Sequence, residues 1–293
     1  MFIRALIFAL GLLLGLSTNL NAGTRDPDTP DAKYLEFGQK FPSVLRLRAI
    51  TDYIDPKTGE KQPTFQNGSA VVIKPNWALT AAHVVVDAVA HELINDEGEI
   101  YPLTFVIVPK EFKPERMGYY DVALCYSPKD FNLDFYTPLH EGPENLDDPI
   151  TIAGYGLHGT FHTGYQFDDG KKRAGHNKIE GLERGILICK PTPGKTRMPL
   201  EYMISPGDSG GGMFIGNKLA GINSFLMASD QKPNGTYGDE SAFTRVSLYA
   251  DWVKSQIEKH ELAFAGRGTT GAELDFDISS TGIKIVAVDL HLP

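Results

Sequence analysis

Cysteine is nearly absent from this sequence: its 293 residues include two, Cys125 and Cys189. One pair cannot staple a chain of that length, so a packed core must hold the fold. The sequence alone leaves both readings of the thiols open, a bridge or two buried free groups. Basic residues are in deficit, with 28 Lys and Arg against 37 Asp and Glu and a formal charge of −9. A surface of that sign repels phosphate backbones and argues against nucleic acid as a partner. Beyond the N-terminus no apolar run approaches the ~20 residues needed to cross a bilayer. Repeats of fixed period and low-complexity tracts are also missing, which excludes solenoids and compositional linkers.

What is present begins with a leader pattern. Met1-Phe2-Ile3-Arg4 gives a short positive start, residues 5–16 are apolar, and a polar stretch over 17–21 leads to Ala22. This predicts an export signal over 1–22 and a secreted product, extracellular or periplasmic. The competing reading, a membrane anchor, draws on Leu20 standing where a small residue is usual. The shortness of the apolar run favours the signal, whose removal would take the formal charge from −9 to −10.

Short β-like runs then recur, at 43–50, 69–73, 101–108, 122–126, 150–153, 185–189, 213–215 and 218–224. Gly, Pro, Asn or Asp bounds each run, as turns require. Such a series predicts antiparallel barrels or a sandwich rather than alternating strands and helices. The region of Pro149 is the candidate boundary between two β lobes. One helix is predicted over 247–260, with Ser247 as its cap and Leu248, Trp252, Val253 and Ile257 at 3-to-4 spacing. Two alternating runs at 273–278 and 283–292 predict an added hairpin within a C-terminal extension over 261–293.

Three segments carry chemistry. In Trp77-Ala78-Leu79-Thr80-Ala81-Ala82-His83 a strand ends on small residues that let the backbone pack closely before a histidine. In Tyr120-Asp121-Val122-Ala123-Leu124 an acid heads an apolar strand, where burial is costly unless a donor such as an imidazole N–H meets it. In Pro206-Gly207-Asp208-Ser209-Gly210-Gly211-Gly212 glycines free the backbone on both sides of one serine, so that amides can point at an incoming carbonyl oxygen. Taken singly, the histidine and the acid are more often ordinary core or surface residues. The glycine-flanked serine is the specific signal.

In the order His, Asp, Ser these segments resemble the trypsin/chymotrypsin family of serine peptidases. The separations are 38 and 88 residues. Gly68-Ser69-Ala70-Val71-Val72-Ile73, Gly221-Ile222-Asn223-Ser224-Phe225 and Phe243-Thr244-Arg245-Val246 with Trp252-Val253 extend the resemblance over residues 37–260. It implies two packed six-stranded antiparallel β-barrels, about 37–145 and 146–246, closed by the helix. It implies a secreted endopeptidase acting on proteins or peptides as a monomer, with no cofactor and no metal. By the match Ser209 attacks the scissile carbonyl, His83 carries the proton and Asp121 holds the imidazole. Gly207 and Ser209 supply the oxyanion amides, and Ser224 donates towards Asp121.

The pattern also departs from the family. Met203, six residues before Ser209, stands at the expected floor of the primary pocket, where no carboxylate supports a preference for Arg or Lys. Leu226, after Ser224-Phe225, and Ser241 replace glycines that the family often has there, so the pocket is expected to take a small or medium apolar residue. Tyr34-Leu35-Glu36-Phe37-Gly38 stands where a freshly cut terminus would pair with Asp208, so Asp208 is expected to find other partners. His91-Glu92-Leu93-Ile94-Asn95 lacks the second histidine of a zinc helix and is set aside. His158, His162 and His176, with Asp168 and Asp169, read as a solvated loop rather than a metal site. Two other classes stay open: a trypsin-fold binding protein with weak or no catalysis, and an acyl hydrolase acting on esters.

Overall fold

The structure, a computed structural model, describes residues 23–267 apart from 55, 56 and 117. The expected export signal and the hairpin runs at 273–278 and 283–292 lie outside the described residues. The fold is mostly β, in two barrel-like sheets, one nearly closed and the other a half-barrel, with a C-terminal helix.

The first sheet runs in the order Ile100–Leu103, Ala90–Ile94, Val44–Ile54, Lys61–Lys74, Trp77–Thr80, Ala123–Tyr126, Phe105–Ile107. Its two edge strands are parts of one segment, interrupted only at Thr104. The run expected over 101–108 is therefore a bent strand that pairs at both edges and curls the sheet round. The second sheet, Arg173–Lys178, Pro149–Gly154, Gly212–Ile215, Lys218–Ala228, Asp239–Arg245, Ile186–Cys189, Gly181–Glu183, uses the same device. Counted with each bent segment as one strand, both sheets have the expected six. Alternation explains the packing: Leu45, Leu47 and Ala49 turn inward and are buried, while Arg46 and Arg48 face outward. The first core continues across the lobe boundary, through Ala153, Tyr155, Phe214 and Ile222, to Val253 and Ile257 of the helix.

The helix differs from expectation at both ends. A 3-10 turn, Val246–Leu248, comes first, and the helix spans Ala250–Arg267. Ser247 does not cap it, because its hydroxyl accepts from Arg245 Nε, and that guanidinium is held by the buried carboxylate of Glu144. The helix continues past His260 because that ring packs 5.1 Å from Phe105 and 5.9 Å from Trp77. Residues 261–267 of the expected extension are thus helical.

A larger correction concerns residues 158–176. They form strands His158–Thr160, Gly164–Phe167 and Arg173–Lys178 instead of a solvated loop. Gly23–Arg25 inserts between His158–Thr160 and Tyr202–Met203, and the helix Asp31–Gly38 follows it. The cause is a buried charge: the fully enclosed Arg173 guanidinium pairs with Asp31 and Asp169, each at 2.9 Å. Removing one partner from such a group leaves an uncompensated charge, so the N-terminal segment is held firmly. Burial and neighbouring Arg173 push His158 down to about 4.

Cys125 and Cys189 are free, buried, and placed in different sheets. Burial pushes the Cys125 thiol up to about 12, away from the reactive thiolate. Calorimetry with and without reductant is expected to give the same Tm; a lower Tm in reductant would reveal a bridge.

No helix among the described residues is long and apolar enough to cross a membrane.

Candidate active site

Three turns meet between the lobes. The strand Trp77–Thr80 ends in the fully buried pair Ala81 and Ala82, and His83 lies in the short helical turn Ala82–Val85. Its side chain remains a third exposed. Asp121 heads the strand Ala123–Tyr126 and is almost fully enclosed. The residue before it, Tyr120, has a φ of 57°. A non-glycine residue in that region costs roughly 1–2 kcal/mol. The cost is offset by an anchor: the Tyr120 amide donates to the Tyr249 hydroxyl at 2.9 Å.

The Asp121 carboxylate collects three donors. Oδ1 accepts the His83 amide at 2.9 Å, while Oδ2 accepts His83 Nδ1 at 2.8 Å and the Ser224 hydroxyl at 2.5 Å. Because a carboxylate only accepts, the proton of the His83–Asp121 bond sits on Nδ1, which leaves Nε2 free to act as a base. Burial alone would push Asp121 up. The hydrogen bonds from His83 and Ser224, with the charge of His83, outweigh it and hold the carboxyl below its ordinary range.

Ser209 follows Gly207 at φ 95° and precedes Gly210 at φ 84°. A Cβ at position 210 would overlap the Thr80 hydroxyl and the Ser69 carbonyl, so glycine lets the serine turn press against the first lobe. Two bonds pin it there: the Ser69 amide donates to the Ser209 carbonyl at 2.8 Å, and the Ser69 hydroxyl to the Gly207 carbonyl at 2.9 Å. The amides of Gly207 and Ser209 have no protein acceptor among the described residues. They are donors left for something outside the fold.

The Ser209 hydroxyl lies 3.5 Å from the Ser224 carbonyl, and no hydrogen bond joins it to the His83 ring. Ser224 nevertheless connects both parts, with its hydroxyl on Asp121 and its carbonyl beside Ser209. It can do so because the ladder between Lys218–Ala228 and Asp239–Arg245 shifts register between Asn223 and Phe225. The bulge re-aims Ser224. Serine-to-base hydrogen bonds are often long before substrate arrives.

Asp208 does find other partners. Its carboxylate is fully buried and accepts the Gly156 amide at 2.9 Å, the Ser205 amide at 2.9 Å and the Ser205 hydroxyl at 3.1 Å, with the Tyr202 hydroxyl at 3.4 Å. These donors are all neutral, so burial wins and raises Asp208 to about 6. Above the ordinary carboxylate value and below about 6, the folded chain keeps a proton that the unfolded chain has lost. The contribution of this group to stability therefore falls as pH rises through that window. Urea unfolding should show the wild-type advantage over Asp208→Asn shrinking between about pH 4 and about pH 7; an advantage that grows would contradict this.

The expected pocket residues come together in part. Leu226 and Ser241 are cross-strand partners, and the buried Ser241 hydroxyl accepts the Ile204 amide at 3.2 Å, next to the buried Met203. Phe225, half-buried, packs beside Gly118, where an added Cβ would lie 2.8 Å from its ring. Sequence reasoning gave no positioning role to Ser69, Thr80, Tyr120 and Tyr249, which hold the turns of the three central residues through hydrogen bonds to backbone groups.

A family model described as Trypsin matches residues 55–253. An uncharacterized peptidase of Corynebacterium glutamicum (strain R) is 26% identical over 204 residues, which span 68% of this chain and 66% of the relative. Among solved structures, neuropsin, a serine protease expressed in the limbic system of mouse brain, superposes with a TM-score of 0.57 at 16% identity. That match covers 75% of this chain and 96% of neuropsin. HL collagenase gives a TM-score of 0.58 at 21% identity, over 82% of this chain and 99% of the other. Both likenesses speak to the fold.

Proposed function

The chain belongs to the trypsin family, and from that premise we propose that it is a secreted serine endopeptidase using His83, Asp121 and Ser209. The observation that carries this reading is the hydrogen-bonded line from His83 through Asp121 to Ser224, with Ser209 at its end beside two unengaged amides. In the reaction Ser209 Oγ bonds to the scissile carbonyl carbon while its proton passes to His83 Nε2. The carbonyl oxygen takes up negative charge between the Gly207 and Ser209 amides, where each donor is worth about 3 kcal/mol. His83 then protonates the leaving amine as the C–N bond breaks. A water, deprotonated by the same nitrogen, releases the acyl group and restores Ser209. Asp121, held ionised, keeps the imidazole in the required tautomer and stabilises its cation.

The pocket reading follows from Met203, Leu226 and Ser241, with no carboxylate among them. A small or medium apolar residue on the acyl side of the cut fits that lining. Peptide-library cleavage tests both activity and preference. Shortening Leu226→Gly is expected to raise kcat/KM for a large apolar residue relative to alanine by roughly tenfold or more. Strict cleavage after Arg or Lys would overturn the pocket reading.

A trypsin-fold binding protein is the second reading, and it draws on the Ser209 hydroxyl resting against Ser224 instead of His83. Casein hydrolysis separates the two. Ester turnover without casein hydrolysis would favour the acyl-hydrolase class instead.

A further inference from the structure

A cleft of about 800 Å³ opens where the two lobes and the N-terminal helix meet. Its apolar lining comes from Leu35, Pro42 and Ile94, and its charged lining sets Arg46, Lys171 and Lys172 against Asp96 and Glu97. The balance among these charges depends on what each group already holds. The Lys172 ammonium is spent on Asp96 at 2.7 Å and on the Val44 carbonyl at 3.1 Å. The other oxygen of Asp96 accepts the Tyr155 hydroxyl at 2.6 Å. Lys172 and Asp96 therefore cancel and tie the lobes together.

Arg46 is different. It stands on the strand Val44–Ile54, and its guanidinium makes no hydrogen bond among the described residues, although its Nε is buried. A buried N–H without an acceptor is costly, and more so on a charged group. The counter-charge, Asp168, stays 3.7 Å away, and its carboxylate already accepts the Asn67 side chain at 3.0 Å and the Gly170 amide at 2.8 Å. Gly170 keeps room around the guanidinium, since a Cβ there would lie 2.9 Å from Arg46 Nη1. Lys171, the next residue, is exposed, and its ammonium has no ion-pair partner among the described residues.

We infer that the cleft binds a small organic monoanion, a carboxylate on an apolar body, with the carboxylate on Arg46 and Lys171 and the body against Leu35, Pro42 and Ile94. A guanidinium offers paired N–H groups that match the two oxygens of a carboxylate. Glu97, exposed and lining the same cleft, opposes a second negative charge on the ligand and so disfavours a phosphate dianion. Two sources share this chemistry, a free small acid and the C-terminus of a peptide.

None of His83, Asp121 and Ser209 lines the cleft, yet it backs onto the serine turn. Arg46 pairs across the ladder with Ser69. Tyr155, in the wall of the cleft, donates its amide to the Ser69 hydroxyl at 2.9 Å, which in turn donates to the Gly207 carbonyl at 2.9 Å. Binding is expected in Ser209→Ala as in the wild type, so failure of this site and failure of the peptidase reading are separable.

Isothermal titration calorimetry on the full chain carrying Ser209→Ala, which prevents turnover, tests the site with acetyl-alanyl-alanine, its C-terminal amide, isobutyrate and inorganic phosphate. The peptide acid is expected to bind roughly tenfold or more tighter than the amide. Adding Arg46→Gln should weaken it by about tenfold or more, and Arg46→Lys, which keeps the charge without the fork, by less. Lys171→Ala, at an exposed position, should weaken it several-fold and keeps the test open if an Arg46 variant fails to fold by circular dichroism. Isobutyrate binding as tightly as the peptide acid assigns the site to free small acids, and tighter binding of the peptide acid assigns it to a peptide C-terminus; both keep the carboxylate site. No binding of either carboxylate, equal affinity for acid and amide, or phosphate binding as tight as isobutyrate overturns it. So does a peptide acid that binds a folded Arg46→Gln chain undiminished, because the ligand then sits elsewhere.

Discussion

Replacing Ser209 with alanine is expected to lower kcat for peptide hydrolysis by about a million-fold. On the proposed mechanism the substitution removes the atom that bonds to the scissile carbon, and without it His83 has no proton to accept from Ser209. The fold should survive, because the hydroxyl contributes one hydrogen bond at 3.5 Å and the turn is held by backbone bonds from Ser69 and Asn223. The amides of Gly207 and Ser209 remain in the variant, so a residual acceleration of roughly a thousandfold over water is expected from binding and oxyanion stabilisation. Steady-state assays on a peptide cleaved by the wild type, with circular dichroism to check folding, measure the effect. A loss below a hundredfold would show that another group is the nucleophile.

Asp121→Asn is expected to cost about ten-thousand-fold in kcat while changing KM little. The carboxylate meets three donors, two on Oδ2 and one on Oδ1. An amide offers one oxygen and one NH2 group in that space. If its oxygen stays with Ser224 and His83 Nδ1, its NH2 faces the His83 amide, donor against donor. If it turns, the NH2 drives His83 to accept at Nδ1 and carry its proton on Nε2, the wrong tautomer for a base. In either case the charge that balances the imidazolium is gone. The buried mismatch should also lower stability by about 1–3 kcal/mol. Single-turnover acylation and urea unfolding of the variant give the two numbers. Acylation within tenfold of the wild type would mean that Asp121 serves structure alone.

Legibility in the sequence followed the kind of force involved. Runs at 43–50, 122–126 and 150–153 alternate or stay apolar because each faces a core, and strands stand there, at Val44–Ile54, Ala123–Tyr126 and Pro149–Gly154. The residues His83, Asp121 and Ser209 were marked by local needs, small residues before the histidine, an apolar strand after the acid, glycines round the serine. Features set by distant polar partners left no such mark. Arg173 looks like a loop residue until Asp31, far away in sequence, encloses it. The helix start moved from Ser247 to Ala250 because Arg245, held by Glu144, took the Ser247 hydroxyl. The register shift at Ser224 and the left-handed Tyr120 are backbone events, and their side chains carry no periodic signal. Asp208 is a middle case: the sequence points away from a chain terminus as its partner, but nothing in it marks Gly156, Ser205 and Tyr202.

The catalytic reading depends on one alcohol being activated by one imidazole across the space between the lobes. Intact-mass analysis after reaction with a fluorophosphonate measures that activation directly, without knowledge of the natural substrate. A single adduct mapped to Ser209, abolished in Ser209→Ala and strongly slowed in Asp121→Asn, is the predicted result. A folded wild type that takes up no reagent, or an adduct that persists in Ser209→Ala, would contradict it.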